Sequence, residues 1–308
     1  MTSPSDAFTK KWLHPRYWPT WLGLGLLFVL ARIGRPARRV LARGIARVFM
    51  QLNRRRVAIA QRNLELCFPD QPTEQRQQWV VRYFYLYFLG LLELGVIRRC
   101  PPGEQGLIAQ TQIEPSWVFA QLRREPGVIL TLHSVGLEWA GAVMAEYVPG
   151  SAIYKPFAKN EVLDWWFTRG RTRFGTKMLP REQGMRPHIR ELRQGRSFFY
   201  IADEDLGAKH SVFAPFFGQS KATLPLAGRV ARLARVPIYP LIGLIDEKQG
   251  YRLVFSGPLC LLPTDNEQQE AEAINQIMEN LIRQDPAQFM WSLKFFKTRP
   301  AGMPDRYR

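Results

Sequence analysis

The sequence predicts an α/β fold, with a mixed or largely parallel central sheet flanked by helices and an N-terminal membrane-anchor helix ahead of it. Three observations carry that reading. Beyond Gly103, short apolar runs at 128–132, 151–154, 197–202, 236–243 and 252–256 alternate with helical patterns near 115–124, 137–147, 160–174, 184–194, 221–235 and 266–284. Such alternation is what a sheet covered by helices requires. Before Gly103 the patterns are helical throughout, and no internal repeat or long low-complexity linker divides the 308 residues. Residues 36–308 are therefore expected to form one domain, its helical section 36–103 packed on the α/β body, with 1–35 as the anchor.

Taken in order, the first element is Tyr17 to Ala31, which holds no charge, lies between Arg16 and Arg32, and carries Tyr17, Trp18 and Trp21 at its front. About 15 residues at 1.5 Å rise cover roughly 22 Å, short of the roughly 30 Å hydrocarbon core. A span would need local thinning or snorkelling arginines, and an interfacial helix is the alternative. Lys10, Lys11 and Arg16 precede the segment, while Arg32, Arg35, Arg38, Arg39, Arg43 and Arg47 follow it. That asymmetry places the body in the cytoplasm, and no small-residue cleavage site marks a removable signal. Residues 36–65 read as an arginine-rich helix with Val40, Ile45, Val48, Phe49 and Leu52 inward and arginines turned to anionic headgroups. A second long helix covers 73–97, and Pro101-Pro102-Gly103 breaks it from the body.

A net charge of +17 with 46% hydrophobic residues implies a folded chain with an acidic partner. Nucleic acid, anionic lipid and an acidic carrier protein all qualify. Aromatic residues and arginines crowd around the most apolar segment and no nucleic-acid-binding signature is present, so lipid is favoured and nucleic acid is not expected. Cys67, Cys100 and Cys260 form no CxxC pair and are odd in number, which fits a reducing compartment. His188 and His210 stand apart from any close-spaced ligand pair, so no metal is expected.

Chemistry concentrates in GVILTLHSVGLEWAGAVMA, residues 127–145. The run 128–132 reads as a buried strand, Gly136 as the turn into a helix, and His133 falls at the strand's carboxyl end, where ligand crevices form in open α/β sheets. Glu138, in the first helical turn, is placed to fold back toward the imidazole. A carboxylate bonded to one ring nitrogen fixes the tautomer, and the other nitrogen can then take a proton from a hydroxyl. Gly170 to Lys177 has the glycine spacing of a phosphate-binding loop, but its Thr and Lys are reversed and it lies inside a helical pattern. Ser134 lacks the G-x-S-x-G elbow of a serine hydrolase.

This H-x4-E resembles the H-x4-(D/E) signature of membrane acyltransferases. Leu13-His14-Pro15-Arg16-Tyr17-Trp18, Arg62-Asn63-Leu64-Glu65-Leu66-Cys67-Phe68-Pro69 and Phe296-Lys297-Thr298-Arg299-Pro300 resemble blocks of the lipid A secondary acyltransferases, most closely the lauroyltransferase type. The resemblance runs almost end to end. It implies an acyltransferase-like sandwich and transfer of an acyl chain, lauroyl for this type, from acyl carrier protein as co-substrate. The acceptor would be a 3-hydroxyacyl chain of Kdo(2)-lipid IV(A), a phosphorylated lipid A precursor, at the cytoplasmic face of the bacterial inner membrane, whose anionic lipids would be further partners.

The resemblance also extends the candidate site. Tyr154-Lys155-Pro156, Asn160, Asp164-Trp165 and the run Arg169 to Arg173 are similar to the family's second block, in which an arginine faces the pocket; Arg171 matches best, with Arg169 and Arg173 as neighbours in register. Such an arginine would bind a phosphate or stabilise an oxyanion. Ala202-Asp203-Glu204-Asp205-Leu206-Gly207, then Val212 to Gly218, resembles the third block, with Ala202, Glu204 and Leu206 in place of its proline, glutamine and tyrosine. Asp203, which follows the strand pattern 197–202 and could therefore approach the same crevice as His133, becomes a site candidate. The implied reaction is direct: His133, oriented by Glu138, deprotonates the acceptor hydroxyl, which attacks the thioester. The rivals are a glycerolipid acyltransferase, which shares H-x4-(D/E), and a non-catalytic basic membrane-binding protein.

Overall fold

A computed structural model describes residues 8–101, 103, 106–256 and 266–307. Helices α1 (Trp18–Leu30), α2 (Arg35–Leu52), α3 (Arg54–Cys67) and α4 (Thr73–Arg99) form the N-terminal section. The body then runs β1 (Thr111–Glu114), α5 (Trp117–Arg124), β2 (Val128–Thr131), α6 (Leu137–Tyr147), β3 (Gly150–Tyr154), α7 (Glu161–Thr172), β4 (Lys177–Pro180), α8 (Arg186–Arg193) and β5 (Ser197–Ile201). A hairpin of β6 (Val212–Phe216) and β7 (Gln219–Thr223) follows, then α9 (Ala227–Ala234), β8 (Ile238–Asp246), β9 (Gly250–Phe255) and α10 (Glu267–Ile282).

Seven strands make one sheet in the order β1-β9-β8-β2-β5-β3-β4. Its pairs are parallel except β8 with β9. The expected α/β class with a mixed, largely parallel sheet is therefore correct. Strand β2 is buried at every position because it is central, with β5 and β8 as neighbours and helices on its faces. Four strands are absent from the sequence reading: β6 and β7 of the hairpin, and β1 (TQIE) and β4 (KMLP), which are the two ends of this sheet. An edge strand has only one neighbour and needs no apolar run, so hydrophobic patterning misses it.

The helix expected from residue 221 begins only at Ala227, because 221–223 complete β7. The hairpin turns on Phe217 and Gly218, both at positive φ, the backbone that tight antiparallel connections use. The single helix expected over 36–65 is two, divided at Asn53, whose side chain accepts from the Arg56 amide and so caps α3. The Pro101-Pro102-Gly103 break includes Pro102, which lies outside the described residues, as does Cys260.

The helix α4 ties the section to the sheet. It is long and apolar enough to cross a membrane, but most of its apolar window is buried inside the protein, against α1, α2, α3 and α6. Its Glu93, fully buried, accepts from Arg35 Nε at 3.2 Å and Arg38 Nη2 at 3.5 Å and also holds the Tyr251 hydroxyl. These bonds fix the rotation of α2, whose inward face is Arg38, Ala42 and Ala46. Of the five inward positions expected, only Ile45 and Phe49 pack on the core; Val40 and Leu52 are 69% and 82% exposed, and Val48 also faces out. A buried carboxylate needs its guanidinium partners more than the helix needs its valines inside.

Helix α1 lies along α4, where Gly95 sits against the Leu27 carbonyl with no room for a side chain. Trp12, Tyr17, Trp21 and Trp165 form a small aromatic cluster that joins the N-terminal segment to α7. Gly95→Val should therefore displace α1 and lower the melting temperature by about 2–6 °C, the effect of about 1–2 kcal/mol of overpacking in a chain of this size. Calorimetry checks this against Gly44→Val, a helical glycine with open space beside it, which should leave the transition nearly unmoved.

Candidate active site

The site is set by two neighbouring strands. β2 and β5 pair in parallel with Thr131 beside Ile201, so the residues two positions further along each strand, His133 and Asp203, leave the sheet side by side. His133 Nδ1 lies 2.9 Å from Asp203 Oδ1, which also accepts the His133 amide at 3.2 Å. The backbone is pinned elsewhere as well: the His133 carbonyl accepts the Met290 amide, the Ser134 hydroxyl donates to the Gly243 carbonyl, and the Val135 amide donates to the Gln288 carbonyl. Ser134 is thereby consumed in structure.

Asp203 is completely buried while His133 keeps a partly exposed edge. Burial alone would lower the imidazole's pKa, but Asp203, then Glu204 and Glu138, outweigh it and push the value up to about 9. With Nδ1–H donated to Asp203, Nε2 is the nitrogen left for chemistry, and the Glu204 carboxylate stands 4.0 Å from it.

The structure corrects the expected pairing of His133 with Glu138. Glu138 opens α6 and is bonded through both oxygens to Arg171 of α7, at 3.3 Å from Nε and more closely from Nη2. The carboxylate on the imidazole is Asp203, because the register of β2 with β5 brings it adjacent whereas α6 carries Glu138 toward α7. Glu138 reaches His133 through its field alone, one of the influences that raise the imidazole. Arg171 is itself raised: burial would lower it, and Glu138 more than compensates.

Helical geometry separates the three neighbouring arginines, since alternate residues lie about 200° apart around an axis. Arg171 lines the cavity beside Glu138. Arg173 turns the other way and donates to the carbonyls of Ile97, Arg98 and Cys100, capping the carboxyl end of α4. Arg169 lies over the Trp165 ring, 5.9 Å from its centroid. Neither of the latter two lines the cavity.

That cavity, about 320 Å³, opens under the site. Its interior is apolar, with Leu94, Ile97, Met144, Met178, Phe199 and Leu241, whereas Glu138, Arg171 and Glu204 bring polar groups together near His133. A largely apolar cavity that also carries several charged groups suits a ligand with a hydrocarbon tail and a polar, reactive head. Among the described residues no group of His, Cys, Asp and Glu is arranged to hold a metal.

Three residues near the site escaped the sequence reading. Glu204 faces Nε2 and was noted only as a departure from the block. Arg98 lines the cavity from α4. Lys221 of β7 is completely buried; its burial lowers its pKa to about 8, against the opposing fields of Asp203 and Asp205. A lysine at an inward position of a short strand, between Ser220 and Ala222, was the available signal.

Residues 6–298 match the bacterial lipid A biosynthesis acyltransferases. Fold, site and match define an acyltransferase, and the chain belongs to that family. It is 32% identical over 304 residues to the lipid A biosynthesis lauroyltransferase of Escherichia coli, covering 97% of this chain and 98% of that one. It is also 32% identical over 306 residues to the palmitoleoyltransferase of the same organism, with 99% of each chain covered. Against the Escherichia coli myristoyltransferase the identity is 30% over 320 residues, with 98% and 94% covered.

Proposed function

We propose that this acyltransferase moves a lauroyl chain from acyl carrier protein to a 3-hydroxyacyl chain of Kdo(2)-lipid IV(A), with His133 as the general base. The observation that carries the reading is the pairing of His133 Nδ1 with buried Asp203, which leaves Nε2 as the nitrogen able to take a proton beside the cavity. The hydroxyl proton passes to Nε2 as the oxygen attacks the thioester carbonyl. The tetrahedral oxyanion collapses, the carbon–sulfur bond breaks, and the imidazolium returns its proton to the departing thiolate. No acyl-enzyme forms, since the thioester is already activated.

The other groups divide the supporting work. Asp203 holds the tautomer and offsets the imidazolium charge. Glu138 fixes the Arg171 guanidinium, which is aimed into the cavity and meets either the oxyanion or a phosphate of the acceptor. The apolar interior takes the acyl tail. Because relatives named for lauroyl, palmitoleoyl and myristoyl transfer are about equally similar to this chain, chain length is set by a few side chains in that interior rather than by the fold.

The reaction needs access to a lipid surface, and the helical section supplies one. α1 is 13 residues long, about 20 Å, too short for a roughly 30 Å hydrocarbon core. Leu22 and Leu26 of α1 and Val40, Val48 and Leu52 of α2 are exposed, and Arg32, Arg43 and Arg47 stand among them. Apolar residues interspersed with arginines suit the headgroup layer of an anionic leaflet, here the cytoplasmic face of the inner membrane.

His133→Ala should lower acyl transfer by about 10²- to 10⁴-fold, the range for a positioned base. Glu138→Gln should be impaired less, because Arg171 keeps a hydrogen-bonding partner. Mass spectrometry of the product from purified enzyme, acyl carrier thioester and acceptor checks both, and near-normal transfer by His133→Ala would remove the mechanism. Separately, Val40→Asp with Leu52→Asp should release the protein from phosphatidylglycerol vesicles in flotation, with the fold intact by circular dichroism. Unchanged flotation would place the lipid contact elsewhere.

A further inference from the structure

Arg98 occupies the last turn of α4 and lines the cavity. Its guanidinium carbon lies 5.2 Å from the centroid of Trp166, and its Nη1 sits 3.0 Å from where a side chain on Gly170 would begin. The group thus packs against one face of α7, over an indole and the bare backbone one turn further on, and is half-buried.

Among the described residues no carboxylate stands within ion-pair distance of Arg98. Glu138 is taken by Arg171, and Asp164 by the Tyr154 hydroxyl and the Phe157 amide. The charges that act on Arg98 are cationic: burial, then the neighbouring Arg173 and Arg169, together lower its pKa to about 10. Arg173 cannot withdraw, because three backbone carbonyls at the end of α4 hold it. Lys155 and Arg181 are further cationic residues among those that line the cavity.

Like charges gathered at a partly dry wall cost stability, and the cost is offset when an anion arrives. A planar fork held rigid by stacking is well suited to two oxygens of a phosphate. We propose that Arg98 is a subsite for a phosphate group on one of the substrates, distinct from the Arg171–Glu138 pair beside the reacting imidazole. Two sources share that chemistry: a phosphate of the lipid acceptor, and the phosphodiester of a carrier protein's pantetheine arm. The choice of sources rests on the function proposed above; the binding of phosphate does not.

The test uses the purified full chain and two variants, Arg98→Met, which keeps an apolar stem against Trp166, and Arg98→Lys, which keeps charge without the fork. Thermal unfolding is followed with inorganic phosphate replacing chloride at constant ionic strength. Phosphate should raise the melting temperature of the unaltered protein, Arg98→Met should lose that response, and without phosphate Arg98→Met should melt higher than the parent because repulsion is relieved. Equal responses in parent and Arg98→Met, or none in the parent, would overturn the subsite.

In the acyl-transfer assay Arg98→Met should raise one KM by about tenfold while kcat stays within about twofold, as loss of one charge-assisted contact made before the chemical step would. A rise for the acceptor assigns its phosphate, and a rise for the acyl carrier assigns the pantetheine arm. Unchanged KM for both overturns the proposal. Lack of turnover by the parent with the lipid A precursor would defeat the proposed function and leave the phosphate response standing as a separate result.

Discussion

The site rests on one pairing, the parallel register that sets Thr131 of β2 beside Ile201 of β5. Two residues beyond it the chains carry His133 and Asp203, and a 2.9 Å contact joins them. Neither side chain would be positioned by its own segment. The imidazole would be free to rotate without the buried carboxylate, and the carboxylate would be an uncompensated charge in a dry interior without the imidazole and the His133 amide. Strand pairing therefore serves both stability and chemistry, since slipping β5 by one residue would turn Asp203 to the other face of the sheet.

A chain with a charge of +17 must also place its guanidinium groups, and it does so by giving them different tasks. Arg35 and Arg38 neutralise buried Glu93 and lock α2 onto α4. Arg173 closes the carboxyl end of α4, and Arg171 holds Glu138 at the cavity. Because Glu93 sets the rotation of α2, it is also what turns Val40 and Leu52 outward. The same ion pairs that order the helical section thus leave apolar side chains on its surface.

Much of this was legible in the sequence, and the failures share a cause. The run Val128 to Leu132 ending in His133 identified a buried strand and the histidine at its carboxyl end, because both are local signals. Block order drew attention to Arg171 and Asp203, and the place of Asp203 after the run 197–202 set it toward the crevice of His133. The partner of His133 was assigned to Glu138, five residues away, when it is Asp203, seventy away, since which strand lies next to β2 is decided by the sheet and leaves no mark on either segment. The inward face of α2 failed similarly: hydrophobicity pointed to Val40 and Leu52, whereas the position of Glu93 on another helix decides. The polar end strands β1 and β4 had no pattern to read.

The central claim, that buried Asp203 sets the protonation and orientation of His133, is tested most directly by titrating the His133 imidazole by NMR in the unaltered protein and in Asp203→Asn. The claim predicts an inflection near pH 9 in the parent, so that below it only the neutral minority of rings can act as base and acyl transfer should rise with pH toward that value. In Asp203→Asn the inflection should fall, because burial still disfavours the cation while its strongest supporting charge is gone. An inflection near the ordinary value of 6.5 that does not move on substitution would contradict the account.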